Sequence, residues 1–192
     1  MVERFPAIAV LLFLAASVQA AAAPSLSAVV GRYSIMTPGS SLFFAVPAVG
    51  GPGITGRFDR FDGRIDIPAS SVEHARVEII IYPDSVATGQ KRVDDFLKSN
   101  AVFDTANERT IVFRSTHVQR TGEDTATIVG SLTARGRTFR ETFHVRLAES
   151  GRGALRFHVE GRVLRSRYGM DVGTPIYSNV VDFDMNLAFR RR

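Results

Sequence analysis

The sequence predicts an all-β domain with one short helix, and three observations carry that expectation. Apolar and polar residues alternate with period two over most of the chain from residue 29 onward. A single stretch, residues 90–99, has apolar residues at helical spacing. No repeat or linker divides the 192 residues, a length that fits one domain with a sizeable core.

The last strand is the plainest. Val181, Phe183, Met185, Leu187 and Phe189 interleave with Asp182, Asp184, Asn186 and Ala188. Leu155, Phe157, Val159, Gly161 and Val163 alternate with Arg156, His158, Glu160 and Arg162. Phe139, Phe143, Val145 and Leu147 oppose Arg140, Thr142, His144 and Arg146. Ala126, Ile128, Gly130 and Leu132 form a fourth row, and Ile111 and Phe113 begin a fifth. Residues 72–82 end in Ile79-Ile80-Ile81-Tyr82, apolar on both parities, which predicts a strand covered on two sides.

Tyr33–Met36 and Leu42–Val46 are short strands broken at Pro38-Gly39. The apolar parity changes from Phe58 to Phe61, so a turn or bulge belongs at Asp59-Arg60. In the helix, Val93, Phe96 and Leu97 share one face and Asp94, Asp95 and Lys98 lie outside, with an end near Asn100. Eight or nine strands with one apolar face each close into a barrel or stack as a sandwich. Alternation leaves open whether that face points inward or out to lipid. The lack of tryptophan, only four tyrosines and the full charges on the polar parity favour a soluble barrel over an outer-membrane one.

Residues 1–20 have the order of a secretory signal peptide: a short charged start at Arg4, an apolar run from Phe5 to Ala16, then Val18-Gln19-Ala20. Cleavage is expected after Ala20, with Ala22 as the other site. A retained anchor is the alternative, but a span needs about 20 apolar residues. Residues 21–28 are then a short N-terminal arm and residues 29–192 the folded domain.

Zero cysteines exclude disulfide frameworks, thiolate zinc sites, iron–sulfur clusters and cysteine nucleophiles. The net charge is +5, and 22 of the 24 basic residues are arginine, without a patch that would argue for nucleic acid. His74, His117, His144 and His158 show no metal-ligand spacing among themselves, and no serine sits in a nucleophile-elbow pattern. Asp182 and Asp184 read as outward solubilising charges, and Gly50-Gly51-Pro52-Gly53 as a hairpin loop. No catalytic residue, metal or cofactor is expected. Phenylalanine stands out instead: 12 of 14 follow residue 23, mostly on the apolar parity. They either fill the interior or line a cavity, and inward Gly130 and Gly161 would leave space.

Several segments resemble a known family. Tyr33-Ser34-Ile35 and Ser40-Ser41-Leu42-Phe43-Phe44 are similar to its opening strand pair. Gly56-Arg57-Phe58 with Phe61-Asp62-Gly63-Arg64-Ile65 matches a G-x-F-x-x-F-x-G-x-I pattern. Thr88-Gly89, Leu97-Lys98-Ser99, Phe103-Asp104 and residues 110–115 follow in order, then Gly130-Ser131-Leu132-Thr133 with Gly136. Arg165 with Tyr168-Gly169-Met170 resembles an R-x-x-[FY]-G-M loop. In order and spacing, these segments resemble the YceI-like polyisoprenoid-binding proteins of bacteria over residues 33–189.

The resemblance implies an elongated, lipocalin-like antiparallel eight-stranded barrel. It also implies a periplasmic carrier for an isoprenoid-like lipid, of polyprenyl phosphate or quinone type. The expected lining is Phe58, Phe113, Phe143, Phe157, Val159, Phe183 and Met185, with Met170 and Phe96 near the mouth. Arg165 is the candidate for an anionic head group, with a surface salt bridge as its alternative. Transient membrane contact and a homodimer are left open as partnerships. The chain departs from the family pattern at Val93-Asp94-Asp95-Phe96, at Arg167 and at Gly39, which favours a more apolar entrance or a different lipid. Two rivals remain: a lipid-modifying enzyme on the same barrel, using Glu141 or His117, and an outer-membrane barrel.

Overall fold

The structure is a computed structural model that describes residues 24–192. The expected signal peptide and the first residues of the arm lie outside the described residues. Eleven strands form one antiparallel sheet: β1 (Gly31–Ile35), β2 (Ser41–Ala48), β3 (Gly51–Phe58), β4 (Phe61–Ile67), β5 (Arg76–Ile81), β6 (Val86–Ala87), β7 (Ile111–Arg120), β8 (Thr125–Ala134), β9 (Arg137–Gly151), β10 (Ala154–Leu164) and β11 (Val180–Arg191). The helix α1 spans Lys91–Lys98.

Register reduces the eleven strands to eight staves of a closed barrel. β11 pairs with β2 from Asp182↔Ala45 to Asn186↔Ser41, then with β1 at Ile35↔Phe189 and Tyr33↔Arg191. β1 and β2 are therefore two halves of one stave, broken at residues 36–40. β4 pairs with β1 while β3 pairs with β2, and β5 pairs with β4 while β6 pairs with β3. β7 to β11 complete the ring as single long strands. The break at 36–40 contains Gly39 at φ +99°, in the left-handed region. Ser40 sews that break to β11, its hydroxyl donating to the Met36 carbonyl and accepting from the Ala188 N–H at 2.8 Å. The turn at Asp59-Arg60 lets Phe58 and Phe61 both face inward, 3% and 4% exposed.

One end of the barrel is interrupted. β5 and β7 pair as far as Ile81↔Ile111, and β6 continues beyond without a β7 residue beside it. Helix α1 packs against β6 at this gap and buries Leu97. The opposite end is plugged: Leu26 is 3% exposed and its N–H donates to the Glu123 carbonyl at 2.9 Å.

The apolar parity points inward along most of the strands, with Phe139 exposed near the start of β9, and the outer wall carries cross-strand ion pairs such as Arg162–Asp182 and Arg114–Glu78. Two local expectations change. Residues 72–74 form a 3-10 turn capped by Ser71, so the strand begins only at Arg76, and Ile80 is half-buried instead of covered on its outer side. Parity counted from Phe113 would turn His117 inward. A register shift between Ser115 and His117 reverses the faces, leaving His117 exposed and Val118 2% exposed in the core.

Candidate functional site

The barrel is hollow, with a cavity of about 810 Å³. On β11 it is lined by Val181, Phe183, Met185, Leu187 and Phe189. Eight residue steps at about 3.3 Å make roughly 26 Å along the strand. With the usual strand tilt near 40°, that is roughly 20 Å along the barrel axis. The lumen is thus a tube, narrow and almost wholly apolar.

The structure brings the sequence-predicted apolar residues together on this wall. Phe58 comes from β3, Phe96 from α1, Phe113 from β7 and Phe143 from β9. Phe157 and Val159 come from β10, Phe183 and Met185 from β11, and Met170 from the loop after β10. Leu26, Phe44 and Tyr177 also line the wall, beyond the residues expected from sequence, as does Phe103, which the family resemblance implies beside the pocket. Phe44 shares the parity of Leu42, a signal that could have found it; Tyr177 sits in a loop with no period to reveal it.

Aromatic rings tile the wall, edge to face except for the tilted pair Phe44–Phe58. Phe113 meets Phe143 at 5.1 Å between centroids and Phe143 meets Phe183 at 6.5 Å. Phe44, Phe58 and Phe103 form a second chain at 5.3 and 5.6 Å. Contrary to the expectation from sequence, the inward glycines do not leave open space; they seat these rings. A Cβ on Gly161 would collide with the Phe143 ring, and one on Gly130 with Phe113 and the Arg114 carbonyl. Gly56 seats Phe44 in the same way, since a Cβ there would lie 2.7 Å from the ring. The rings lie back against the wall, and the lumen stays clear.

Exposure locates the mouth. Lining residues at the plugged end are buried, including Ile67, Val118 and Ala126. Pro52, Gln90, Arg92, Phe96, Val172 and Gly173 also line the cavity but are exposed. They belong to the β2–β3 hairpin, α1 and the β10–β11 loop, so the opening lies between those three. Hairpin and loop are tied together: the Ser178 N–H donates to the Pro47 carbonyl at 2.7 Å and the Val49 N–H to the Ile176 carbonyl at 2.9 Å.

Arg165 lies on the cavity wall but is 8% exposed and already engaged. Its Nε donates to the Ser178 carbonyl at 2.8 Å, Nη1 to the carbonyls of Met170 and Val172, and Nη2 to that of Tyr177 at 3.1 Å. Burial lowers its pKa, against the opposing charge of Asp171. Four of its five N–H donors are thus held by loop carbonyls, and no surface salt bridge engages it among the described residues. It is the clamp that shapes the loop at the mouth. Arg92, which no sequence pattern singles out, is the other cation on the lining, and it has no ion pair or hydrogen bond among the described residues.

The polar groups inside are satisfied. Glu141 points inward and accepts from the Tyr168 hydroxyl at 2.9 Å, while His117 stands on the outer wall, so the two are not brought together. His158, Glu160 and Asp184 cluster on the outer wall, where His158 Nε2 lies 3.0 Å from Asp184.

Comparison with known proteins agrees with this geometry. A protein of the UPF0312 group from Ectopseudomonas mendocina is 32% identical over 127 residues, 65% of this chain and 66% of that protein, so the chain spans just under two thirds of that relative. A UPF0312 protein of Staphylococcus epidermidis is 25% identical over 142 residues, 71% of this chain and 80% of the relative. Among solved structures, BcnA of Burkholderia cenocepacia superposes with a TM-score of 0.74 at 20% identity, over 80% of this chain and 98% of that one. A polyisoprenoid binding domain from Saccharophagus degradans, implicated in plant cell wall breakdown, gives 0.62 at 19% identity, over 83% and 98%. These likenesses show the barrel fold. The family model described as "YceI-like domain" matches residues 33–190, nearly all of the barrel, and the chain therefore belongs to the YceI-like family.

Proposed function

We propose that this protein binds a long isoprenoid-like lipid inside the barrel and carries it without chemical change. The observation that supports this most is the lumen itself: an apolar tube of about 810 Å³, closed at one end and open at the other. Its size falls within the roughly 300–1,000 Å³ of small-molecule sites, and its shape suits a chain more than a compact ring system. Each methylene taken from water into it contributes about 0.8 kcal/mol. The polyisoprenoid binding domain of Saccharophagus degradans supports the same ligand class by analogy. Phe58, Phe113, Phe143, Phe157, Val159, Phe183 and Met185 would contact the chain, with Met170 and Phe96 nearer the mouth.

The place of action we propose is the periplasm, because residues 1–20 have the order of a signal peptide. A binding role is favoured over an enzymatic one by the lumen's composition. The buried acid, Glu141, is held by the Tyr168 hydroxyl with Arg167 Nη1 at 4.0 Å and does not line the cavity, while His117 stands on the outer wall. Native mass spectrometry of protein purified from its host without detergent should show a co-purifying lipid. A bare-chain mass together with no uptake of added polyprenyl lipid would refute the proposal.

A further inference from the structure

We infer that the rim of the mouth is a docking surface for a lipid bilayer bearing anionic phosphate head groups. This deepens the lipid-holding reading of the cavity and rests on it. Among the described residues the exposed large apolar side chains are Val30, Phe43, Val49, Phe96, Phe139, Val172 and Ile176, and four of the seven stand at this rim. Val49, 81% exposed, tips the β2–β3 hairpin, and Ile176, 63% exposed, tips the β10–β11 loop. The backbone bond from Val49 N–H to the Ile176 carbonyl holds the two tips together as one unit. Phe96 and Val172 are 44% and 41% exposed, and both also line the cavity. Phe96 and Val172 therefore carry apolar surface from the outside of the rim into the lumen.

That continuity identifies the occupant. A chain leaving a bilayer through this mouth would pass from one apolar phase to another without crossing water. Arg92 stands on the same rim with its guanidinium uncommitted among the described residues. An arginine can lay its stem along apolar surface and offer its head to a phosphate. A folded partner fits less well. Four side chains on separate tips offer a few hundred Å², against the roughly 800 Å² per partner of a stable protein interface. Protruding tips instead suit shallow burial at the head-group boundary.

The test uses the full domain and vesicles of phosphatidylethanolamine with phosphatidylglycerol. The wild type should float with them, and V49D/I176D should partition at least about tenfold more weakly, since two buried apolar side chains become charges that the anionic surface repels. R92Q should weaken the dependence on the phosphatidylglycerol fraction. Neither Val49 nor Ile176 lines the cavity, so V49D/I176D should still take polyprenol from cyclodextrin as the wild type does. V49S/I176S, a milder pair, should show the same loss with an unchanged melting curve. Wild-type protein that stays off the vesicles, or variants that float as well as it does, would overturn the docking inference. So would a wild-type dimer that the rim variants convert to monomer, which makes the rim an interface between copies. If the wild type floats and the variants do not, yet no form takes polyprenol from cyclodextrin, docking stands and the lipid-holding reading fails.

Discussion

Glu141 keeps its buried place through the Tyr168 hydroxyl, with Arg167 Nη1 4.0 Å from the same carboxylate oxygen. Its carboxylate is 7% exposed and accepts from Tyr168, itself 1% exposed, at 2.9 Å. Burial first, then that bond, push the Tyr168 phenol well above its ordinary pKa, so it remains a protonated donor throughout the usual range. Tyr168 also stands edge-on to Phe139 at 5.3 Å, which fixes the ring that presents the hydroxyl. Tyr168→Phe keeps the ring and removes the donor, leaving the acid without its closest partner. The expected loss is about 1–3 kcal/mol, with Glu141→Gln costing less because it retains an acceptor. Urea unfolding of the two variants reads this directly; a Y168F midpoint equal to the wild type would contradict it. Half of this pair was legible in the sequence, since Glu141 shares the inward parity of Phe143. Tyr168 was visible only as a motif residue, because a short 3-10 turn has no period from which to read the direction of a side chain.

Among the elements, α1 has the most to do for its length, since eight residues stand where the barrel wall lacks a strand pairing. Its N-terminal cap residue, Gln90, makes no side-chain capping bond. Asp94 anchors the approach to the helix instead, accepting from the Thr88 hydroxyl at 2.6 Å and the Thr88 N–H at 2.7 Å. The hydroxyl first, then the amide, hold the Asp94 carboxyl below its ordinary range despite some desolvation. A carboxyl lowered in the folded state adds stability that is complete above its unfolded pKa of about 3.9 and fades as pH falls through the lowered value. Amide protection over residues 88–98 should therefore hold at neutral pH and drop below about pH 4. In Asp94→Asn that segment should be less protected at pH 7 and nearly insensitive to acid. A wild-type helix equally protected at pH 7 and pH 3 would refute the role of Asp94. The helix and the long strands were legible because period 3.6 and period two are local properties. The joining of β1 with β2, β3 with β4 and β5 with β6 into three broken staves was not. It depends on which strands lie across from each break, and alternation does not encode sheet order. His117 was misplaced for a related reason: the bulge beside it exists only in the register with β8.

At the scale of the whole molecule, the fold removes its own edges by closing, save for short β6 beside α1, which suits a chain without cysteine. Whether such a barrel is solid or hollow could not be read from parity, since parity says that a phenylalanine points inward but not how far its ring reaches. The answer depends on contacts between neighbouring strands. Gly161 lies directly across from Phe143 in the β9–β10 ladder, and the absence of a Cβ there lets the ring fold down over the glycine. Such pairing of an aromatic ring with a cross-strand glycine also helps to pin register. If the lumen depends on rings held at the wall, a side chain at 161 should close it. Gly161→Val would drive the Phe143 ring away from the wall towards Phe183, whose centroid is 6.5 Å away. Overpacking of this kind costs about 1–3 kcal/mol, so the melting temperature should fall. Uptake of a fluorescent polyprenol should fall with it. Stability loss alone would lower uptake equally in any variant of matched melting temperature, so the decisive comparison is G161V/F143A. Removing the displaced ring should restore space and recover uptake even if melting stays depressed. Uptake that tracks melting temperature across both variants would mean that the glycine serves packing alone and that the lumen does not depend on where this ring lies.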